Sequence, residues 1–387
     1  MNCTAIGAGT CVKILKLIKN YFSIDHTIPC RSTVACWNKK MAHFQTVNIS
    51  PSTGKRWALL MDESITIGGN KVLLLLGVFL DDFGFNRPLR FEDCHVLSVA
   101  LARSWTGEDV AAKIDELVKR GFNFDYAVSD QGVNLIKAAR LADLKRIDDC
   151  AHFFSTLLRR QYLQSADFES FEKSCTHLKR AGTNCKHAHL LPPKHFANSR
   201  FMNITPVINW GRKMIILIQK YGLHELIRPY IDKVNWVVEY TDLLEQMHHS
   251  VELVDQLSGA LKDEGYHSAT YEWAWHIIKA SKEVPITIRQ PLLDYFKSLE
   301  SLRGEHTHLI CSTDIVESHF AYLKRKPIHC VGAASKRMVL CHRQVNFNQV
   351  KQAMEACTVL SLYQQAKQKS EPVTVAQKRA IINKLIA

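Results

Sequence analysis

Two stretches between positions 57 and 80, Trp57-Ala-Leu-Leu-Met-Asp62 and Lys71-Val-Leu-Leu-Leu-Leu-Gly-Val-Phe-Leu80, are apolar runs of strand length. Both read as buried strands, the first ending in an acid, with Ile67-Gly68-Gly69-Asn70 as the hairpin turn between them. Residues 95–103 read as a third strand, so the region opens as a three-stranded meander. Thr106-Gly-Glu-Asp109 then supplies an N-cap and first-turn acids for a helix running to about Arg120. A short strand, Tyr126 to Val128, runs into Asp130, and a helix with Asn134 in its first turn follows. A second short strand ends in Asp149-x-x-His152, where another apolar helix starts.

From about residue 155 to 302 the strand signal fades, and apolar positions recur at helical spacing over 204–221, 223–257 and 269–280. This reads as an all-helical insertion. After it, Cys311-Ser-Thr-Asp-Ile-Val-Glu317-Ser-His-Phe-Ala-Tyr-Leu-Lys-Arg-Lys predicts one helix, capped by Ser312 or Thr313, with Ile315, Val316, Phe320 and Leu323 on its apolar face. Residues 12–43 read as two or three helices. Ile14, Leu15, Ile18, Tyr21 and Phe22 share one face of the first, and Val34 and Trp37 are expected to point inward from a second, leaving Arg31, Ser32, Thr33 and Lys39 outward. That second segment resembles a helix-turn-helix recognition helix, and a small helical cap on the next domain fits the pattern equally well. The expected divisions are 1–50 (N-terminal helices), 51–160 (first part of an α/β core), 161–302 (all-α insertion), 303–345 (last part of the core) and 346–387 (helical tail).

Charge narrows the function. The chain of 387 residues carries 50 Lys and Arg against 37 Asp and Glu, a net charge of +13, which favours an anionic partner, nucleic acid first. Residues 1–50 hold six Lys and Arg against one Asp, and residues 155–220 eleven against three acids, a footprint suited to a phosphate backbone. The twelve cysteines are scattered without a Cys-x-x-Cys pair and read as reduced, mostly buried thiols. The longest apolar run, 72–80, is too short to span a bilayer, so a soluble intracellular protein without a membrane partner is expected.

An acid at the carboxyl end of a strand lies where open α/β sheets place their ligands. Asp62 and Asp130 are expected there, with Glu317 returning on the late helix. Three carboxylates on separate elements suit a two-metal site, because each Mg²⁺ takes one or two carboxylates and keeps places for water and phosphate oxygens. Glu63 beside Asp62, Asp314 one turn before Glu317, and Asp148 beside Asp149 remain alternatives. Cys175-x-His177 with Cys185-x-His187-x-His189 has zinc-ligand chemistry, but the spacing matches no familiar finger, and zinc is not expected. Asp82-Phe-Gly84 lacks the companions of a kinase triplet and reads as a loop.

Strand order and motifs together resemble a DDE transposase with a ribonuclease H-like core and a helical insertion, as in the hAT superfamily and related bacterial insertion-sequence enzymes. Asp130-Gln-Gly-Val-Asn134 is similar to that group's Asp-x-x-x-Asn, Asp149-Cys-Ala-His152 to its Cys-or-Asp-x-x-His, and Ser312-Thr-Asp-Ile-Val-Glu317-Ser-His-Phe320 to its approach to the glutamate. Ser199-Arg200-Phe-Met-Asn203 echoes a stretch at the start of the insertion. The resemblance covers roughly residues 57–345. It implies Asp62, Asp130 and Glu317 as catalytic metal ligands for Mg²⁺, with Mn²⁺ substituting, and His152 beside them handling the scissile phosphate or a flipped base. It further implies double-stranded DNA partners (terminal repeats and target), a homo-oligomer on DNA, and a cytoplasmic, nucleoid or nuclear location according to source. A nuclease without strand transfer and a domesticated DNA-binding descendant are the rival expectations.

Overall fold

The computed structural model describes residues 8–51, 56–65, 71–81, 85, 87–182, 190–193, 201, 204–221, 228–304 and 306–323. The chain divides into two compact units. The first comprises Met1–Gly84, Leu89–Ile147 and Ser312–Ala387, the second Phe85–Pro88 and Asp148–Cys311.

The first unit is built on a five-stranded mixed sheet, β1 (Trp57–Ile65), β2 (Lys71–Phe79), β3 (Cys94–Ala102), β4 (Phe124–Ser129) and β5 (Arg146–Asp148), in the order β3-β2-β1-β4-β5. β1, β2 and β3 form the antiparallel meander, and β4 lies parallel to β1. This arrangement is consistent with the ribonuclease H-like order expected from the sequence. β2 is buried from Val72 to Val78, which is why it reads as an unbroken apolar run rather than an alternation. Backbone and rings meet closely at Gly77, where a Cβ would stand 2.7 Å from Leu97 Cδ1 and 2.8 Å from Trp57 Cε3.

One face of the sheet, carrying Trp57, Leu59, Met61, Leu73, Leu75 and Leu97, packs with Val110, Ile114 and Leu117 of α3 (Gly107–Lys119) and Leu135 and Ala138 of α4 (Val133–Leu141). α3 starts in a capping box: Asp109 N–H donates to Thr106 Oγ1 (3.2 Å), and Thr106 N–H donates to Asp109 Oδ2 (3.1 Å). Because side chains alternate along a strand, Ala58, Leu60 and Asp62 face the other side.

The N-terminal helices are α1 (Ala8–Phe22) and α2 (Arg31–Val47), joined by residues 23–30. That connection is longer than the 3–4-residue turn of a helix-turn-helix. α1 buries none of its side chains, and Leu17, Tyr21 and Phe22 are exposed. Trp37 does not point inward as expected: it is 41% exposed, and Val34, Asn38, Met41 and Ala42 form the buried stripe, one helical step around from it. Arg31 and Ser32 are exposed and Lys39 half-buried.

The described residues of the second unit are helical apart from turns and a single bridge, Tyr266 with Leu309. They comprise α5 (Cys150–Tyr162), α6 (Ala166–Gly182), α7 (Thr205–Tyr221), α8 (Arg228–Val234), a 3-10 turn (Asn235–Tyr240), α9 (Thr241–Asp263), α10 (Ser268–Ala280) and α11 (Ile286–Arg303). The apolar run expected over 223–257 is thus two helices separated by a tight turn, while residues 222–227 lie outside the described residues. α5 packs on α9, where the Tyr162 hydroxyl and Ser250 Oγ are 2.8 Å apart; burial pushes that phenol up to about 12. The chain returns to the first unit at α12 (Asp314–Leu323), which packs against β1. No helix among the described residues is long and apolar enough to cross a membrane. Of the seven cysteines described, four are buried.

Candidate functional site

The parallel ladder between β1 and β4 runs to the pair Met61–Ser129, and the next residue on each strand is an aspartate. Asp62 thus follows the last residue of β1 that pairs with β4, and Asp130 is the first residue beyond the end of β4. Asp62 does not end its strand as expected. β1 continues to Ile65 because β2 pairs with it out to Lys71; only the parallel side of β1 stops before Asp62. Asp62 is buried, and its Oδ1 accepts the Glu63 amide at 2.6 Å. Glu63 lies on the opposite face, where Lys71 Nζ holds it at 3.3 Å.

Asp130 leaves the strand in an Asx turn: its Oδ1 accepts the Gly132 N–H at 2.9 Å. Gly132 is the N-cap of α4, and a Cβ there would stand 2.8 Å from the same Oδ1. A glycine is needed here because the aspartate folds back over it; its backbone, at φ −61°, is ordinary. Arg146 of β5 donates from Nη1 to the Asp130 carbonyl (3.2 Å) and Ser129 Oγ (3.3 Å), holding the backbone at this corner. Asn134 is half-buried in the first turn of α4.

Glu317 lies in the first turn of α12. Ile315, Val316, His319 and Phe320 are buried, which turns Asp314 and Glu317 together to the exposed side. His319 is a core residue: its Nδ1 is 2.7 Å from the Ile315 carbonyl and its ring meets Phe91 edge-on at 4.7 Å. The Ser312 hydroxyl accepts the Asp314 amide at 3.2 Å as the chain enters the helix.

In the second unit, Asp149 is the N-cap of α5 and is buried. Its Oδ2 accepts the His152 amide at 2.9 Å and lies 2.7 Å from His152 Nδ1. One carboxylate oxygen thus caps the helix and orients the imidazole. Asp148 is the last residue of β5, and its carbonyl accepts the Tyr295 hydroxyl at 2.9 Å. Burial first, then the charges of Cys311, Cys150 and Asp149, holds that phenol well above its ordinary value, so it stays a neutral donor. The Cys311 thiol is raised by burial and by Asp149.

The fold therefore puts Asp62 on β1, Asp130 just past the end of the neighbouring β4, and Glu317 on the helix against β1. Among the described residues, no three His, Cys, Asp or Glu side chains converge as a metal cluster. Cys175 is buried with its thiol pushed up to about 12 by burial, while Cys185, His187, His189, Arg200 and the 82–84 triplet lie outside the described residues. Sequence reasoning missed Gly132, Arg146 and Tyr295. For Gly132 the signal was present as a glycine two residues after the strand-end acid.

No protein-family model matches the chain, and no curated protein matches it. Among solved structures it is similar to the Drosophila P element transposase strand transfer complex, at 12% identity and a TM-score of 0.43, over 89% of this chain and 92% of that one.

Proposed function

We propose that the chain is a DDE-type DNA transposase with a ribonuclease H-like core, hydrolysing phosphodiester bonds at mobile-element ends and joining the freed strand to target DNA. The observation that carries this reading is the parallel register ending at Met61–Ser129, with an aspartate next on each strand. An acid on β1, a second just past the end of the adjacent β4, a third on a helix packed against β1, and a net charge of +13 suit an enzyme acting on a polyanion.

The donor set fits Mg²⁺ in chemistry: carboxylate oxygens are hard ligands, one or two to each ion. Asp62, Asp130 and Glu317 would hold the metal, which when bound activates water or a DNA 3′-hydroxyl and steadies the leaving oxygen. Oδ1 of Asp62 accepts the Glu63 amide and Oδ1 of Asp130 the Gly132 amide, bonds that orient each carboxylate. Arg146 keeps the Asp130 backbone still. With Nδ1 against Asp149, His152 would present Nε2 to a phosphate oxygen. Arg159 and Arg160 on α5 and Arg180 on α6 are exposed and suit DNA backbone contacts.

The test is purified protein with supercoiled plasmid and Mg²⁺ or Mn²⁺. Nicked and joined products that disappear in Asp130→Asn are expected. Nicking retained by that variant overturns the assignment, and cut ends without joined molecules replace it with a nuclease.

A further inference from the structure

On the hairpin of α10 and α11, Tyr271 and Trp275 stand one helical turn apart, ring centroids 5.8 Å from each other. Two ammonium groups approach the Trp275 indole: Lys279 Nζ, from the next turn of α10, at 4.4 Å from its centroid, and Lys297 Nζ, from α11, at 5.4 Å. A single lysine stem laid over an indole is ordinary packing. Two cations from different helices at one ring concentrate positive charge beside an aromatic side chain, which favours an anionic ligand. Asp294 reaches Lys297 at 3.8 Å, but both side chains are exposed, and such a pair holds weakly. Lys279 is exposed, and Tyr271 and Trp275 are half-buried.

We infer that this surface binds single-stranded DNA, an unpaired base stacking on Trp275 or Tyr271 while its flanking phosphates meet Lys279 and Lys297. Two neighbouring rings with two cations beside them pair the features that single-stranded nucleic acid offers: base faces to stack on and phosphates to neutralise. A duplex offers no free base face to such rings. The choice of DNA rests on the functional reading above; the ring-and-cation geometry does not.

The experiment measures anisotropy of fluorescein-labelled (dT)20 with the full chain, without metal, so that its outcome is separate from that of the nicking assay. Trp275→Ala is expected to weaken binding about tenfold, and Trp275→Phe to restore most of it. Lys279→Gln with Lys297→Gln keeps the stems and removes the charges; it should lower the slope of log K against log salt by about 1.4. Trp273→Ala is the control: it is exposed on the same helix but on the opposite side from Trp275. Trp275→Ala binding (dT)20 as tightly as Trp273→Ala, or losing duplex and single-strand affinity equally, overturns the proposal.

Discussion

Asp130 and Gly132 show how one side chain dictates another two positions away. The acid was legible as a strand-end carboxylate, but the glycine's reason was not, because it depends on the Asx turn that brings Oδ1 within 2.8 Å of a Cβ at 132. Gly132→Ala should leave thermal unfolding nearly unchanged yet displace the Asp130 carboxylate. A nicking rate down by roughly 100-fold is expected, the scale of a 1 Å misplacement. Cys30 is a second residue whose chemistry is local. Hydrogen bonds from Ser32 and Thr33, at 2.9 and 3.0 Å, lower its exposed thiol to about 6. Iodoacetamide labelling of the Cys30 peptide, followed by mass spectrometry, should therefore be half-maximal near pH 6, falling as pH drops through that value. Ser32→Ala should move the midpoint upward.

Elements with a strong periodic signal were legible: the β1–β3 meander and α3 with its Thr106 cap follow from runs and capping residues. Thr106→Ala should cost about 1 kcal/mol, read from the urea midpoint. Gly77→Ala tests the closeness of β2 to its neighbours; forcing a methyl against Leu97 and Trp57 should cost about 1–3 kcal/mol. Where faces were misjudged, tertiary packing decided. On α2 the buried stripe takes Asn38 in place of Trp37, a choice that hydrophobicity alone would reverse. On α1 the apolar face meets solvent, so its helical spacing was visible but its burial was not. The Asp314–Glu317 alternative also survives, since both acids stand on the exposed side of α12, whereas Glu63 is separated from Asp62 by the pleat.

At the scale of the molecule, the sheet order could be anticipated from the succession of strands and helices. The register that ends the β1–β4 ladder at Met61–Ser129, just before the two aspartates, could not, because pairing between distant strands leaves no local mark. The most direct measurement is metal rescue at Asp130. With supercoiled plasmid as substrate, Asp130→Cys should be inactive in Mg²⁺ and regain nicking in Mn²⁺, the softer ion and the better match for a thiolate. A folded Asp130→Cys protein that nicks at the wild-type rate in Mg²⁺ would contradict a metal-binding role for this carboxylate, and with it the account.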